Sequence, residues 1–403
     1  QNNGAITQTP ERLALAREVA AKSIVLLKNE EVNGKKLLPI DVPESGVFKV
    51  AIIGYFANPN SVHLGGYSSM QGGAALNNIV KPFDGIKNAI LAINPNAEVT
   101  YYKGFTDSST SASGLLNVDS AAVSAAANAD LAIVYVGTDS GTAREDRDRT
   151  TIKLPGAQAE LIKQVVAENP NTIVFMETIG QVDVTEFKDD VPAMLWSSFL
   201  GLRKGEAVAD VLLGNYNPSG HLPFTWYPTD VHLADINDYR LRPDEGTLGR
   251  TYMYYTGEYN FPFGHGLSYT EFVYSNLNIN SSTLDANDTL VVSVDVENVG
   301  SIEGADVVQL YIATPGAPAE LELPRKRLLG FEKVNLEPGE KKTVTMTVDV
   351  RDMAFFDTED DRYEVYNGMY EVQIGKSSED IELSKTFEVT GTLKPVVSVV
   401  TVK

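Results

Sequence analysis

From residue 50 to about residue 230, short apolar runs alternate with longer stretches whose apolar positions recur at helical spacing. The runs at 50–53, 99–102, 131–136, 173–176 and 193–196 are apolar on consecutive residues, the pattern of strands buried on both faces. Between them, helices are predicted near 82–93, 119–128, 155–168 and 205–213. Strand and helix in this rhythm predict an α/β domain, an open and mostly parallel sheet sandwiched by helices. Ahead of it, a helix is expected over 10–28. Thr9 can cap it, Pro10 sits in its first turn, and Leu13, Val19, Ala20, Ile24 and Leu27 give it an apolar side.

After about residue 270 the period changes to two. Residues 290–296, 306–312, 342–348 and 368–374 alternate apolar and polar positions and are separated by Gly, Pro, Asn and Asp. Roughly seven such strands in about 120 residues predict an all-β, immunoglobulin-like sandwich. The stretch 230–266, rich in Tyr, Gly and Pro, reads as a structured connector. The expected organisation is an N-terminal linker and helix at 1–29, the α/β domain at 30–235, the connector at 236–270, the sandwich at 271–392 and a tail at 393–403.

Composition narrows the chemistry. Among 403 residues, Lys and Arg number 33 against 54 Asp and Glu, a net charge of −21 that repels nucleic-acid backbones. No apolar run is long enough to span a bilayer, so no membrane partner is expected. The absence of cysteine removes disulfides, thiolate catalysis and cysteine-ligated metals. The start of the chain is polar and has no signal-peptide core. The four histidines, His63, His221, His232 and His265, show no metal-ligand spacing, and no cofactor is expected. The acidic run 357–362 has the composition of a calcium loop but reads as a solvated turn.

One segment stands out. Residues 138–149, Thr-Asp-Ser-Gly-Thr-Ala-Arg-Glu-Asp-Arg-Asp-Arg, directly follow the strand at 131–136. In open parallel sheets, ligands bind beyond the carboxyl ends of strands, where this loop must lie. Its charges alternate in sign, so one carboxylate can be paired while its neighbour stays available to titrate. On charge pattern alone it reads as an ion-paired surface loop. A second glycine-rich loop, Gly65-Gly66-Tyr67-Ser68, is either a tight turn or a ligand-facing segment.

The run from Glu145 to Gln158, Glu-Asp-Arg-Asp-Arg-Thr-Thr-Ile-Lys-Leu-Pro-Gly-Ala-Gln, resembles the Glu-x-x-Asp-Arg…Leu-x-Leu-Pro-Gly-x-Gln signature of glycoside hydrolase family 3. Other blocks resemble that family in the same order. They are residues 22–29 with 38–40, Ile53-Gly54 followed by Gly65-Gly66-Tyr67, Asn217-Pro218-Ser219-Gly220 with Leu222-Pro223, and 261–270. Two departures occur: Gly201-Leu202-Arg203-Lys204-Gly205 replaces the usual Gly-Gln-x-Gly-Gly, and His221 stands where Arg or Lys is common.

The resemblance implies an α/β sandwich domain followed by a fibronectin type III domain. It implies that Glu145 is the general acid/base of a retaining, exo-acting β-glycosidase acting on oligosaccharides. Gly66, Tyr67, Ser68 and Arg144 are then candidates for sugar binding, and Asp148 and Arg149 for an ion pair that holds the loop. Residues 225–228 and 249–255 resemble the β-xylosidase branch, so a β-xyloside is favoured slightly over a β-glucoside. The family also implies a partner: an N-terminal barrel domain or chain carrying an aspartate nucleophile beside a Trp. Neither Trp196 nor Trp226 follows an Asp, so this chain alone is expected to be inactive. A secreted or periplasmic location and a homodimer are among the expectations. A competing reading of another class is a non-catalytic carbohydrate-binding or scaffold module.

Overall fold

The computed structural model describes residues 8–59 and 79–394. The chain divides into two compact units. One runs to Leu233 and takes in Glu258–Phe261 and His265–Tyr269; the other holds Ala234–Gly257, Pro262–Gly264 and the chain from Thr270 onward.

The first unit opens with helix α1 (Pro10–Ser23), whose first turn is capped by Thr9 accepting from Arg12 N. The helix stops well short of the expected residue 28. Strand β1 (Val25–Asn29) follows instead, antiparallel to a later strand. The reason lies in Ile24, Val25, Leu26 and Leu27, four consecutive apolar residues that are all buried. A one-sided helix exposes some of any such run, whereas a strand covered on both faces buries every member. Val19, expected on the apolar side of the helix, is exposed.

The main sheet and the helices of this unit continue with β2 (Lys49–Ile53), α2 (Pro82–Ile93), β3 (Glu98–Tyr102), α3 (Ser120–Ala127), β4 (Leu131–Gly137), α4 (Gln158–Glu168), β5 (Thr172–Glu177), β6 (Ala193–Ser197) and α5 (Lys204–Leu212). The six strands form one sheet in the order β1-β6-β5-β4-β2-β3. All neighbours are parallel except the β1–β6 edge pair, so the predicted mostly parallel sheet is the observed one. Strands β4 and β5 are buried along their whole length, as their unbroken apolar runs require. Close approaches demand glycine at positions such as Gly54 and Gly85. A Cβ on Gly54, at φ 126°, would lie 2.0 Å from Tyr135 O, and one on Gly85 would lie 2.1 Å from Gly205 O where α2 crosses α5.

The second unit is a β-sandwich. Strands β7 (Phe272–Ile279), β9 (Thr289–Asn298) and β12 (Lys341–Asp349) make one sheet, with β9 central. Strands β8 (Thr283–Asp285), β10 (Gly304–Ala313), β11 (Arg327–Leu336), β15 (Gly368–Gly375) and β16 (Ile381–Thr390) make the other, in the order β8-β16-β15-β10-β11. A short hairpin, β13 (Phe355–Asp357) with β14 (Arg362–Glu364), stands apart from both sheets. Alternation sets the core: Leu290, Val292, Val294 and Val296 of β9 are buried and meet Val308, Leu310, Val372 and Ile374 from the facing sheet.

Candidate functional site

Chain order and sheet order together locate the site. After β2 the chain moves outward to β3 and then returns to place β4 on the other side of β2. The connections that leave β2 and β4 therefore run to opposite sides, and such a switch point is where open α/β sheets bind ligands. The loop 138–157 leaves from β4 at this point.

Its first part is fixed by buried polar contacts. Gln158, at the start of α4, donates from Nε2 to Gly137 O and accepts from Gly137 N, both at 2.9 Å. Thr138 Oγ1 accepts from Ile179 N at 2.8 Å. The buried Asp139 carboxylate accepts from Gly141 N at 2.9 Å, Thr142 N at 3.1 Å and Ala112 N at 2.8 Å. The bonds to Gly137 and Ala112 are buried and satisfy backbone groups that would otherwise be left unpaired.

Beyond this base lies a tight turn. Arg144 and Arg147 exchange backbone hydrogen bonds of 2.9 and 3.0 Å, which leaves Glu145 and Asp146 at the two corners. Arg144 Nε donates to Asp146 Oδ1 at 2.6 Å, and this contact holds the Asp146 carboxyl below the usual carboxylate range. Glu145 is exposed and makes no hydrogen bond or ion pair among the described residues. The alternating charges thus pair Arg144 with Asp146 and leave Glu145 unengaged.

The return limb is anchored again. Arg149 donates to Gln181 O at 2.7 Å, and burial lowers the pKa of its guanidinium while Asp230 opposes the shift. Asp230 accepts from Ile152 N at 2.7 Å and from Thr151 Oγ1 at 2.5 Å. The expected Asp148–Arg149 ion pair does not form. Arg149 turns toward the Gln181 carbonyl and the Asp230 charge, whereas Asp148 stays exposed on the solvent side. Arg149 holds the loop, through partners other than the one expected. Gly66, Tyr67 and Ser68 lie outside the described residues. Among the described residues no group of three or more His, Asp or Glu is placed to hold a metal. In the acidic run 357–362, Arg362 pairs with Asp360 and Glu364.

Sequence reasoning missed a buried charged cluster at the same edge of the sheet. Glu177 ends β5, and Lys204 begins α5; the two form an ion pair with both side chains at most 5% exposed. Tyr135 Oη donates to the second Glu177 oxygen at 2.7 Å, and its ring stacks on Phe175 with centroids 4.8 Å apart. Burial, then the Glu177 charge, drive the Tyr135 hydroxyl well above its ordinary pKa. Two signals were present in the sequence: a glutamate closing an otherwise apolar run, and a lysine within Gly201-Leu202-Arg203-Lys204-Gly205. His265, by contrast, is structural: Nε2 lies 2.9 Å from Leu27 O, and its ring stacks on Phe261.

Fold and loop define an α/β switch-point protein that carries a β-sandwich after its sheet domain. The chain belongs to the glycosyl hydrolase family 3 C-terminal domain family, whose model matches residues 24–269; a fibronectin type III-like domain model matches residues 306–378. It is 35% identical over 390 residues to thermostable beta-glucosidase B of Acetivibrio thermocellus, covering 94% of this chain and 49% of that protein. To a beta-xylosidase of Formosa agariphila it is 33% identical over 386 residues, 95% of this chain and 51% of that one. The solved Bifidobacterium adolescentis GH3 beta-glucosidase aligns with a TM-score of 0.78 at 29% identity, over 94% of this chain and 53% of that chain. The chain thus spans about half the length of the curated relatives it matches.

Proposed function

We propose that these residues form the acid/base-bearing part of a retaining, exo-acting β-glycosidase, with Glu145 as the proton donor and acceptor. One observation carries the reading. Glu145 is exposed at the tip of a turn whose base is locked at the carboxyl end of β4, while the charges on either side of it pair with each other. A carboxyl group so presented can meet a glycosidic oxygen from outside the sheet. The desolvation that a proton donor needs comes from the sugar and from the surface that closes over the turn.

In this scheme the nucleophilic aspartate belongs to a barrel domain or chain joined to these residues. Glu145 protonates the leaving oxygen as that aspartate attacks the anomeric carbon. It then takes a proton from the water that releases the sugar. The two carboxyl groups of a retaining pair stand about 5–5.5 Å apart, so Glu145 without its partner gives no turnover. The substrate we favour is a short oligosaccharide with a non-reducing β-xylosyl end, handled in a secreted or periplasmic compartment. The preference for xyloside over glucoside rests on residues 225–228 and 249–255, and relatives of both names match the chain.

The test is Glu145→Gln in the barrel-containing enzyme. Slowed hydrolysis that is worst for substrates with poor leaving groups supports the role; unchanged rates point to a binding or scaffold module instead. Comparing kcat/KM for aryl β-xyloside and β-glucoside tests the preference separately.

A further inference from the structure

The sandwich unit contains a cavity of about 260 Å³ that the glycosidase reading does not use. It lies where the segment around Leu241 to Tyr254 meets the end of β10, the start of β11 and the β13 strand. Its volume falls just below the roughly 300 Å³ at which pockets for drug-sized ligands begin, which suits a single ring.

The charge of its lining runs against that of the chain. In a protein of net charge −21, the lining carries Arg242, Arg327 and one acid, Glu322. Arg242 and Glu322 pair at 2.8 Å, and both are about half exposed. Arg327 makes no ion pair among the described residues, although the Asp352 charge acts on it from a distance. Its Nη1 and Nη2 donate to the carbonyls of Ala354 at 3.2 Å and Asp352 at 2.8 Å. A guanidinium has five N–H donors, so three remain. Burial disfavours the charged form of this side chain, and an anion seated beside it would offset that cost.

The rest of the lining is mostly apolar, aliphatic as well as aromatic. Tyr254, Phe356 and Tyr370 line the cavity, and Phe356 is 45% exposed with Tyr363 edge-on to it at 5.2 Å. Aromatic faces pack against the C–H faces of sugar rings, while a forked guanidinium binds carboxylates in two parallel hydrogen bonds. Glu322 itself sits at φ 46°, a left-handed backbone that a glutamate adopts only under constraint from its surroundings.

We propose that this cavity binds one sugar residue bearing a carboxylate, a uronic acid, with Arg327 on the acid group and Phe356 against the ring. The inference is independent of Glu145, because the cavity lies wholly within the sandwich unit. The experiment is calorimetric titration of the full chain with methyl β-glucuronide, methyl β-glucoside and acetate. The glucuronide is expected to bind about tenfold or more tighter than either of the others. Its affinity falls with added salt, and both Arg327→Met and Phe356→Ala weaken it. Arg327→Lys, which keeps the charge but loses the fork, serves if the methionine variant does not fold. Equal binding of the glucoside removes the carboxylate from the account, and equal binding of acetate removes the sugar. Absence of glucuronide binding, or affinity unchanged in the Arg327 variants, overturns the proposal.

Discussion

The side-chain amide of Gln158 holds both backbone groups of Gly137, donating to its carbonyl and accepting from its N–H at 2.9 Å each. This pair of hydrogen bonds joins the end of β4 to the start of α4 and so closes the base of the loop that carries Glu145. In Gln158→Leu two buried backbone groups lose their partners. An unsatisfied buried group costs about 1–3 kcal/mol, so for two groups we expect a loss of about 2–6 kcal/mol in urea unfolding. A variant as stable as the parent would show that the amide does not secure the loop.

The Lys204–Glu177 pair gives a second test. Removing one member of a buried pair strands the other, so Lys204→Met should cost about 3–5 kcal/mol. Replacing all three, as Tyr135→Phe/Glu177→Leu/Lys204→Met, removes the Glu177 charge together with the Tyr135 and Lys204 donors that meet it and should recover most of that loss. Chemical denaturation of the single and triple variants decides it: equal destabilisation in both would mean that packing, not the stranded charge, sets the cost.

Alkaline pH should unfold the protein through its buried tyrosines. Burial pushes Tyr101 and Tyr370 up to about 12. A group whose pKa is raised in the folded state contributes fully below its unfolded value. For tyrosine that contribution is lost as pH climbs from about 10 toward 12, because the unfolded chain ionises first. Melting temperature recorded across that window should therefore fall, and Tyr101→Phe should make the fall shallower. A slope identical to that of the parent would remove Tyr101 as a contributor.

Asp230 ties the return limb of the loop by two hydrogen bonds, to Thr151 and Ile152. Asp230→Ala should cost only about 1–2 kcal/mol in stability yet lower kcat of the barrel-containing enzyme about tenfold, since the turn it steadies carries the proton donor. Steady-state kinetics beside a melting curve separates the two effects; a stability loss with kcat intact would confine Asp230 to folding.

Elements that bury both faces were legible in the sequence, because an unbroken run such as that of β4 admits few other readings. The same logic should have stopped α1 at Ser23, but Ile24 and Leu27 also fit a helical period, and local pattern could not choose between them. The Glu145 loop stood out by its place after a strand, but its charges alone read as an ion-paired surface, and the family resemblance made it a candidate site. Its internal contacts were not legible, since Arg149 is drawn to Gln181 and Asp230 rather than to its neighbour Asp148. The Glu177–Lys204 pair was hidden for a similar reason: its members are 27 residues apart and meet only once α5 is folded against the sheet.

The central claim is that Glu145 moves the proton, and chemical rescue tests it most directly. Glu145→Ala in the barrel-containing enzyme should lower turnover of β-xylosides by about 10²–10⁴-fold. With an activated aryl xyloside, added azide should restore turnover and yield a β-xylosyl azide, because the small anion attacks the glycosyl-enzyme without needing a base. Turnover close to that of the parent, or a loss that azide leaves untouched, would contradict the assignment of Glu145.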